Sequence, residues 1–223
     1  MLRIGHRGAA ALAPENTLAS IEAAINCGVD LVEIDVVAQS DALRLAHSPA
    51  EVRDGNPTLD EALVLLASAD AGVIVDLKSR GIERSAVETL RKRNLLDRAV
   101  VASSHPASLR AVKEVGPAVT IGFSYPFDRA GISESAAFQP LIRVGLSGLR
   151  RALPARIVGM LTRARADALL VHHALVSRTL VERCHGRDAA VLAWTIEDDV
   201  ALRRVLAAGV DGAIANDPGL LED

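Results

Sequence analysis

Leu31-Val32-Glu33-Ile34-Asp35-Val36 reads as a strand with two unlike faces. Side chains alternate along a strand with period two, so Glu33 and Asp35 point one way and Val32, Ile34 and Val36 the other. Two carboxylates on the inward face of an apolar strand repel each other and lose hydration. A hard divalent cation with oxygen ligands compensates them. The competing reading pairs them with Arg or Lys, or turns them to solvent on an edge strand. Leu43-Arg44-Leu45-Ala46-His47 follows too closely for a helical crossover, which takes a dozen or more residues. It is expected to return antiparallel, as a hairpin.

Outward from this strand the chain alternates strand, loop and helix. Leu2 to His6 is a short strand. A helix follows, capped by Asn16 or Thr17 and stopped at Gly28. Thr58-Leu59-Asp60-Glu61 has the T-x-x-E spacing of a capping box and opens a helix through Leu66. Further strands are expected at Gly72–Lys78, Ala99–Ser103, Val119–Ser124, Ala168–His172, Ala190–Thr195 and Gly212–Ala215. The helices between them are expected at Glu83–Leu96, Pro106–Val115, Ala136–Ala166 (interrupted at Pro154), Ser177–His185 and Asp198–Ala208, with a short closing helix at Pro218–Glu222. Eight strands separated by helices, the hairpin set aside, predict an α/β fold: a compact TIM-type (β/α)8 barrel spanning residues 1–223 as one catalytic domain. An open doubly wound sheet concentrates its ligand residues at one switch point. Here polar residues recur at almost every strand end, from His6 to Asn216, which favours the barrel.

The 223 residues suffice for one large core. Aromatics make up only 2% of the chain, so that core is built from Ala, Val and Leu. A formal charge of -3 leaves no basic footprint for nucleic acid. Cys27 and Cys184 are too few for a disulfide framework and read as reduced core residues. No apolar run reaches membrane-spanning length and no signal-peptide pattern follows Met1, so a cytoplasmic protein is expected.

Active sites of such barrels lie at the C-terminal strand ends. His6, Arg7, Glu33, Asp35, Asp76, Lys78, Ser124, His172, Trp194 and Asn216 all fall there. Asp76 shares a face with Lys78 and becomes a third carboxylate beside Glu33 and Asp35. Three hard oxygen donors on neighbouring strands suit Mg²⁺ or Ca²⁺; a Lys78–Asp76 ion pair that only balances charge is the plainer reading.

His6-Arg7-Gly8, Pro14-Glu15-Asn16-Thr17, Glu33-x-Asp35, His47, Pro57-Thr58-Leu59-x-Glu61, Asp76-Leu77-Lys78, Trp194-Thr195 and Gly209-Val210-Asp211-Gly212 together resemble the glycerophosphodiester phosphodiesterase family, in that family's order. The resemblance implies a TIM-type barrel that hydrolyses glycerophosphodiesters to glycerol 3-phosphate and an alcohol with a divalent metal. It implies catalytic histidines at His6 and His47. The metal carboxylates would be Glu33, Asp35 and Asp76, with Asp in place of the usual Glu. Arg7 and Lys78 would hold the phosphate. One histidine would take a proton from water or the glycerol hydroxyl, and the other would protonate the leaving alkoxide.

Three departures bear on substrate choice. His47-Ser48 replaces the family's His-Asp, Asn216 stands where an acid is usual, and only Pro49 to Asn56 remains of the family's small insertion domain. Trp194 lines the glycerol pocket or packs at the barrel mouth. Of His172 and His173 alternation lets one face the barrel axis, as a substrate contact or as a rim residue. His105 is expected to cap a helix or lie on the surface, and His185 to be solvated. Between Phe138 and Ala166 six arginines and no acid interleave with apolar residues. That stretch reads as an ordinary barrel helix or as a basic surface for peripheral contact with an anionic membrane. A lysophospholipase D and a catalytically weak phosphodiester-binding barrel are the alternatives to the leading function.

Overall fold

Alternating valines and isoleucines make the strands of this chain, and apolar residues at helical spacing make the layer that covers them. The structure, a computed structural model, describes residues 1–126 and 139–222, the side chains of 139–146 excepted. In chain order the elements are β1 (Leu2–Gly5), α1 (Leu18–Asn26), β2 (Leu31–Gln39), β3 (Ala42–Leu45), α2 (Leu59–Ala67), β4 (Gly72–Leu77), α3 (Glu83–Lys92) and β5 (Ala99–Ser103). They continue with α4 (Pro106–Val115), β6 (Thr120–Tyr125), α5 (Gln139–Ala164), β7 (Ala168–His172), α6 (Arg178–His185), β8 (Ala190–Ile196), α7 (Asp199–Ala208) and β9 (Gly212–Ala215). Neighbours run β1-β9-β8-β7-β6-β5-β4-β2, and β1 pairs back onto β2, so eight parallel strands close into the expected TIM barrel. The ninth, β3, is the antiparallel hairpin partner of β2, with Val36 opposite Leu45.

The two strand faces separate the core into two parts. Val32, Ile34, Val73, Val75, Val101 and Val171 turn outward and pack with Ile21, Leu63, Leu90, Leu109, Ile157 and Leu180 of the helices. Ile4, Ile74, Ala102, Leu170, Leu192 and Ile214 fill the barrel axis. A small barrel has room for only a few large side chains inside. Gly122 meets that limit: a Cβ there would lie 2.5 Å from Leu170 Cδ1.

The capping box at Thr58 is formed as expected: Thr58 N–H donates to Glu61 Oε2 at 2.7 Å, and Glu61 N–H to Thr58 Oγ1 at 3.2 Å. Two helix expectations are corrected. Helix α3 stops at Lys92 rather than Leu96, because Asn94 takes φ +57 and sends the Leu95 N–H back to Leu90 O, at 3.0 Å, while Leu95 itself is buried. That is a Schellman ending with Asn in the left-handed position. Pro154 does not interrupt α5, which runs through it. Proline removes one helical hydrogen bond, and here Leu153, Ile157, Leu161 and Ala164 hold the helix to the barrel on one buried face. Arg150, Arg151, Arg156 and Arg163 lie exposed. The expected start of this helix at Ala136 lies outside the described residues. Among the described residues no helix is long and apolar enough to cross a membrane.

Candidate active site

Strand register brings the site together at the C-terminal mouth. Ile4 of β1 pairs with Leu31 on one side and Ile214 on the other. Two residues on, His6 therefore sits between Glu33 and Asn216. Its Nδ1 is 2.6 Å from Asn216 Oδ1 and its Nε2 is 4.0 Å from Glu33 Oε2. A neutral imidazole donating from Nδ1 to the amide oxygen leaves Nε2 as the acceptor. Burial first, then the neighbouring Arg7 charge, lowers the His6 pKa to about 4, so the neutral form prevails. The chain then turns sharply. Gly8 has φ +88, and a Cβ there would fall 2.3 Å from Ser20 Oγ, so only glycine fits. This turn directs the Arg7 N–H onto Glu33 Oε2 at 2.9 Å. The Arg7 side chain reaches Glu15 Oε2 at 2.8 Å and lies with Nε 3.0 Å from Asp35 Oδ2, an ion pair without hydrogen-bond alignment.

Asp35 is the most heavily contacted acid. Lys78 Nζ approaches its Oδ1 at 2.8 Å, and His47 Nδ1 its Oδ2 at 3.1 Å. Asn16 holds it from two sides: the Asp35 N–H donates to Asn16 Oδ1 at 3.0 Å, and Asn16 Nδ2 donates to Asp35 Oδ2 at 3.2 Å. Burial alone would raise the Asp35 pKa; Lys78, the His47 hydrogen bond and Arg7 outweigh it and hold the carboxyl well below its ordinary range. Asp76 faces Asp35 across the β2–β4 register and pairs with Lys78 at 2.7 Å. Lys78 is half-buried beside this acid, and Asp35, Asp76 and Glu33 outweigh its partial desolvation to raise its pKa. Glu33 is the acid with no Arg or Lys side chain in ion-pair range among the described residues. Burial, then the Asp35 charge, pushes its pKa well above the usual carboxylate value. One oxygen from each of Glu33, Asp35 and Asp76 lies within 4.8 Å of the others, all three residues being buried. The shorter Asp76 thus still reaches the cluster. This all-oxygen donor set suits a hard divalent cation.

Seven residues singled out from the sequence therefore meet at one place: His6, Arg7, Glu33, Asp35, His47, Asp76 and Lys78. Trp194 stands apart from them on β8, edge-on to His172 with ring centroids 5.2 Å apart. His172 is the inward member of its pair. His173 turns to α7, where Arg204 Nη2 lies 2.9 Å from its Nδ1. His105 is the residue before α4. His185 lies exposed, as expected, and its Nε2 pairs with Asp211, the residue before β9, at 2.9 Å.

Sequence reasoning missed Asn16 as a site residue. Asn16 and Thr17 compete for one cap, and Thr17 takes it, accepting from the Ser20 N–H. A buried polar side chain left without that task is the signal that was available. The Ser48 departure is also resolved: its Oγ donates to Glu51 at 2.8 Å, while Asp35 supplies the carboxylate on His47.

A closed parallel barrel with acids, cations and histidines around its C-terminal mouth defines a TIM-barrel enzyme. The model of the glycerophosphoryl diester phosphodiesterase family matches residues 6–47 and 73–220, and the chain belongs to that family. It is a phosphoric diester hydrolase. A glycerophosphodiester phosphodiesterase of Caldanaerobacter subterraneus subsp. tengcongensis is 26% identical over 257 aligned positions, covering 99% of this chain and 96% of that protein. Two solved structures share the fold. One is a glycerophosphodiester phosphodiesterase from Parabacteroides distasonis, with TM-score 0.75 and 17% identity over 97% of this chain and 92% of that one. The other is an Oleispira antarctica phosphodiesterase in complex with the product sn-glycerol-3-phosphate, with TM-score 0.73 and 23% identity over 96% and 92%.

Proposed function

We propose that this protein hydrolyses glycerophosphodiesters to glycerol 3-phosphate and an alcohol, with Mg²⁺ or Ca²⁺ held by Glu33, Asp35 and Asp76. One observation carries the reading: three buried carboxylates converge within 4.8 Å while Arg7 and Lys78 supply only two positive side chains. Fully ionised, that set is one charge negative. A divalent cation makes it one charge positive, and a phosphodiester monoanion brings the sum to neutral. Bound there, the cation would neutralise charge on the non-bridging phosphate oxygens. The product complex of the Oleispira antarctica relative supports glycerol 3-phosphate as the product.

In this mechanism Arg7 and Lys78 face the phosphate and stabilise the charge that develops on its equatorial oxygens. His6 Nε2, left as an acceptor by the Asn216 hydrogen bond, takes the proton of the nucleophile, either water or the substrate's own glycerol hydroxyl. A new P–O bond forms as the bond to the alcohol breaks; where the glycerol hydroxyl attacks, the cyclic phosphate so formed is then opened by water to give glycerol 3-phosphate. His47 returns a proton to the departing alkoxide. Partner chemistry favours these roles: His47 Nδ1 meets the anionic Asp35 carboxylate, whereas Asn216 is a neutral partner and Arg7 opposes charge on His6. The protein is proposed to act in the cytoplasm, with Cys27 and Cys184 as free thiols.

A lysophospholipase D reading has one observation in its favour. Ala11 N–H bonds Asn216 O, which ties the loop after β1 to the mouth, and the adjacent Leu12 is 54% exposed there. An acyl chain would find that surface.

The deciding assay follows glycerol 3-phosphate release from glycerophosphocholine and glycerophosphoethanolamine with Mg²⁺, with Ca²⁺ and with EDTA. Metal-dependent release that His47→Ala abolishes supports the proposal. Release of lysophosphatidic acid from lysophosphatidylcholine, with no release of glycerol 3-phosphate from the deacylated substrates, supports the lysophospholipase D reading. No release from either overturns both.

A further inference from the structure

Across the barrel from the charged cluster lies a second set of polar groups that this mechanism does not use. In the ring order β1-β9-β8-β7-β6-β5-β4-β2, β7 is diametrically opposite β2. His172 ends β7 on the inward face, two residues beyond Leu170 and four beyond Ala168, both of the barrel axis. Its Nδ1 accepts the Ala174 N–H at 3.1 Å. An imidazole that accepts at Nδ1 while neutral carries its proton on Nε2. Burial, then the charges of His173 and Arg204, lowers the His172 pKa to about 4, in keeping with that neutral tautomer. Trp194, opposite His172 in the β7–β8 register, packs its ring at 78° to the imidazole and fixes the ring's direction. Among the described residues the Nε2–H has no hydrogen-bond partner. One layer deeper, Ser124 of β6 lies opposite Leu170, inward-facing and 9% exposed, and its buried Oγ also has no partner.

A buried unpaired hydroxyl such as that of Ser124 is costly unless something polar meets it, and the Nε2–H of half-buried His172 is left open to a ligand. One is a fixed donor. The other is a hydroxyl that both donates and accepts. An alcohol hydroxyl satisfies both, accepting from His172 and donating to Ser124, whereas an anion finds no cationic side chain in this pair. The interior of an eight-stranded barrel is narrow enough that groups on β7 and β2 address one small ligand.

We propose that His172 Nε2–H and Ser124 Oγ form a polyol-recognising subsite, which holds a hydroxyl of the glycerol moiety while its phosphate lies against Arg7 and Lys78. This subsite rests on the function proposed above and gives the enzyme its discrimination between glycerol and hydroxyl-free phosphodiesters. Trp194 is a positioning residue for His172 within it.

The test compares glycerol 3-phosphate with propyl phosphate, its analogue lacking both hydroxyls, by isothermal titration calorimetry on the Mg²⁺-loaded protein. Wild type is expected to bind glycerol 3-phosphate about tenfold more tightly, the worth of one or two neutral hydrogen bonds. His172→Phe keeps the ring against Trp194 and removes the donor; Ser124→Ala removes the hydroxyl with little change of volume. Either is expected to collapse the affinity ratio toward one, and His172→Gln, which retains an N–H donor, to restore part of it. Equal affinity for the two anions in wild type, or an unchanged ratio in both Ser124→Ala and His172→Phe, overturns the subsite. Glycerophosphocholine turnover by the same wild-type sample separates the two levels. Turnover with no hydroxyl discrimination sinks the subsite alone, and no turnover with any metal sinks the proposed function and the subsite with it.

Discussion

His47 Nδ1 lies 3.1 Å from Asp35 Oδ2, so the carboxylate that orients this histidine comes from the middle of β2 and not from the residue that follows it. Asp35 is also held by Asn16 and Lys78, which leaves it little freedom to turn away. His47 thereby keeps an Asp partner although Ser48 stands next to it.

That pairing separates the two histidines by leaving group. His47→Ala is expected to slow glycerophosphocholine hydrolysis by about 10²–10⁴, the usual worth of a general acid or base. With a p-nitrophenyl leaving group, which departs without a proton, the loss is expected to shrink by at least tenfold. His6→Ala should lose activity on both substrates alike. Steady-state rates on the two substrates check this, and equal losses for both variants would reverse or void the assignment.

Glu33 is predicted to trade stability for metal binding. Its folded-state pKa is raised by burial and then by Asp35. A carboxyl with a raised folded pKa binds protons more tightly folded than unfolded, so its presence costs stability as pH rises above about 4.5 toward the folded value. Glu33→Gln is therefore expected to raise the melting temperature in EDTA at pH 7–8, by a margin that vanishes below about pH 4.5. The same variant should weaken Mg²⁺ binding tenfold or more. Thermal melts with EDTA across this pH range, and Mg²⁺ titration at pH 7.5, measure the two effects.

Asn16→Ala removes two hydrogen bonds from a fully buried Asp35 and is expected to destabilise the fold by about 1–3 kcal/mol. Asn16→Asp keeps the acceptor for the Asp35 N–H but sets one carboxylate against another. Its metal affinity should fall further than its stability does. Chemical denaturation beside metal titration separates these effects; an Asn16→Asp protein that binds metal like wild type would reduce Asn16 to a structural residue.

Cys184 is fully buried, and burial, then Asp211, pushes its thiol pKa up to about 12. It is expected to stay unmodified by iodoacetamide at pH 8 in the folded protein and to react once the protein is unfolded. Peptide mass spectrometry reads the difference.

Much of the architecture is legible without coordinates because its causes are local. Period-two alternation put Glu33 and Asp35 on one face, the Thr58–Glu61 spacing opened α2, and the short reach from Val37 to Leu43 required a hairpin. These depend on neighbours a few residues away. Pro154 misled because proline's cost is also local, whereas the packing that outweighs it comes from β-strands elsewhere in the chain. Likewise, which of Asn16 and Thr17 caps α1 follows from the position of Asp35, 19 residues further on.

What the sequence alone determined is the repeat of strands and helices, and the kinds of side chain that end each strand. Only the tertiary structure decided which of those side chains meet. His6 and Asn216 are 210 residues apart and come within 2.6 Å because β1 pairs with β9 to close the barrel. Closure likewise sets His172 and Trp194 across the mouth from Asp35. Alternation assigns a residue to a face at almost no distance in sequence; register between distant strands assigns its partner, and that is settled only when the whole sheet closes on itself.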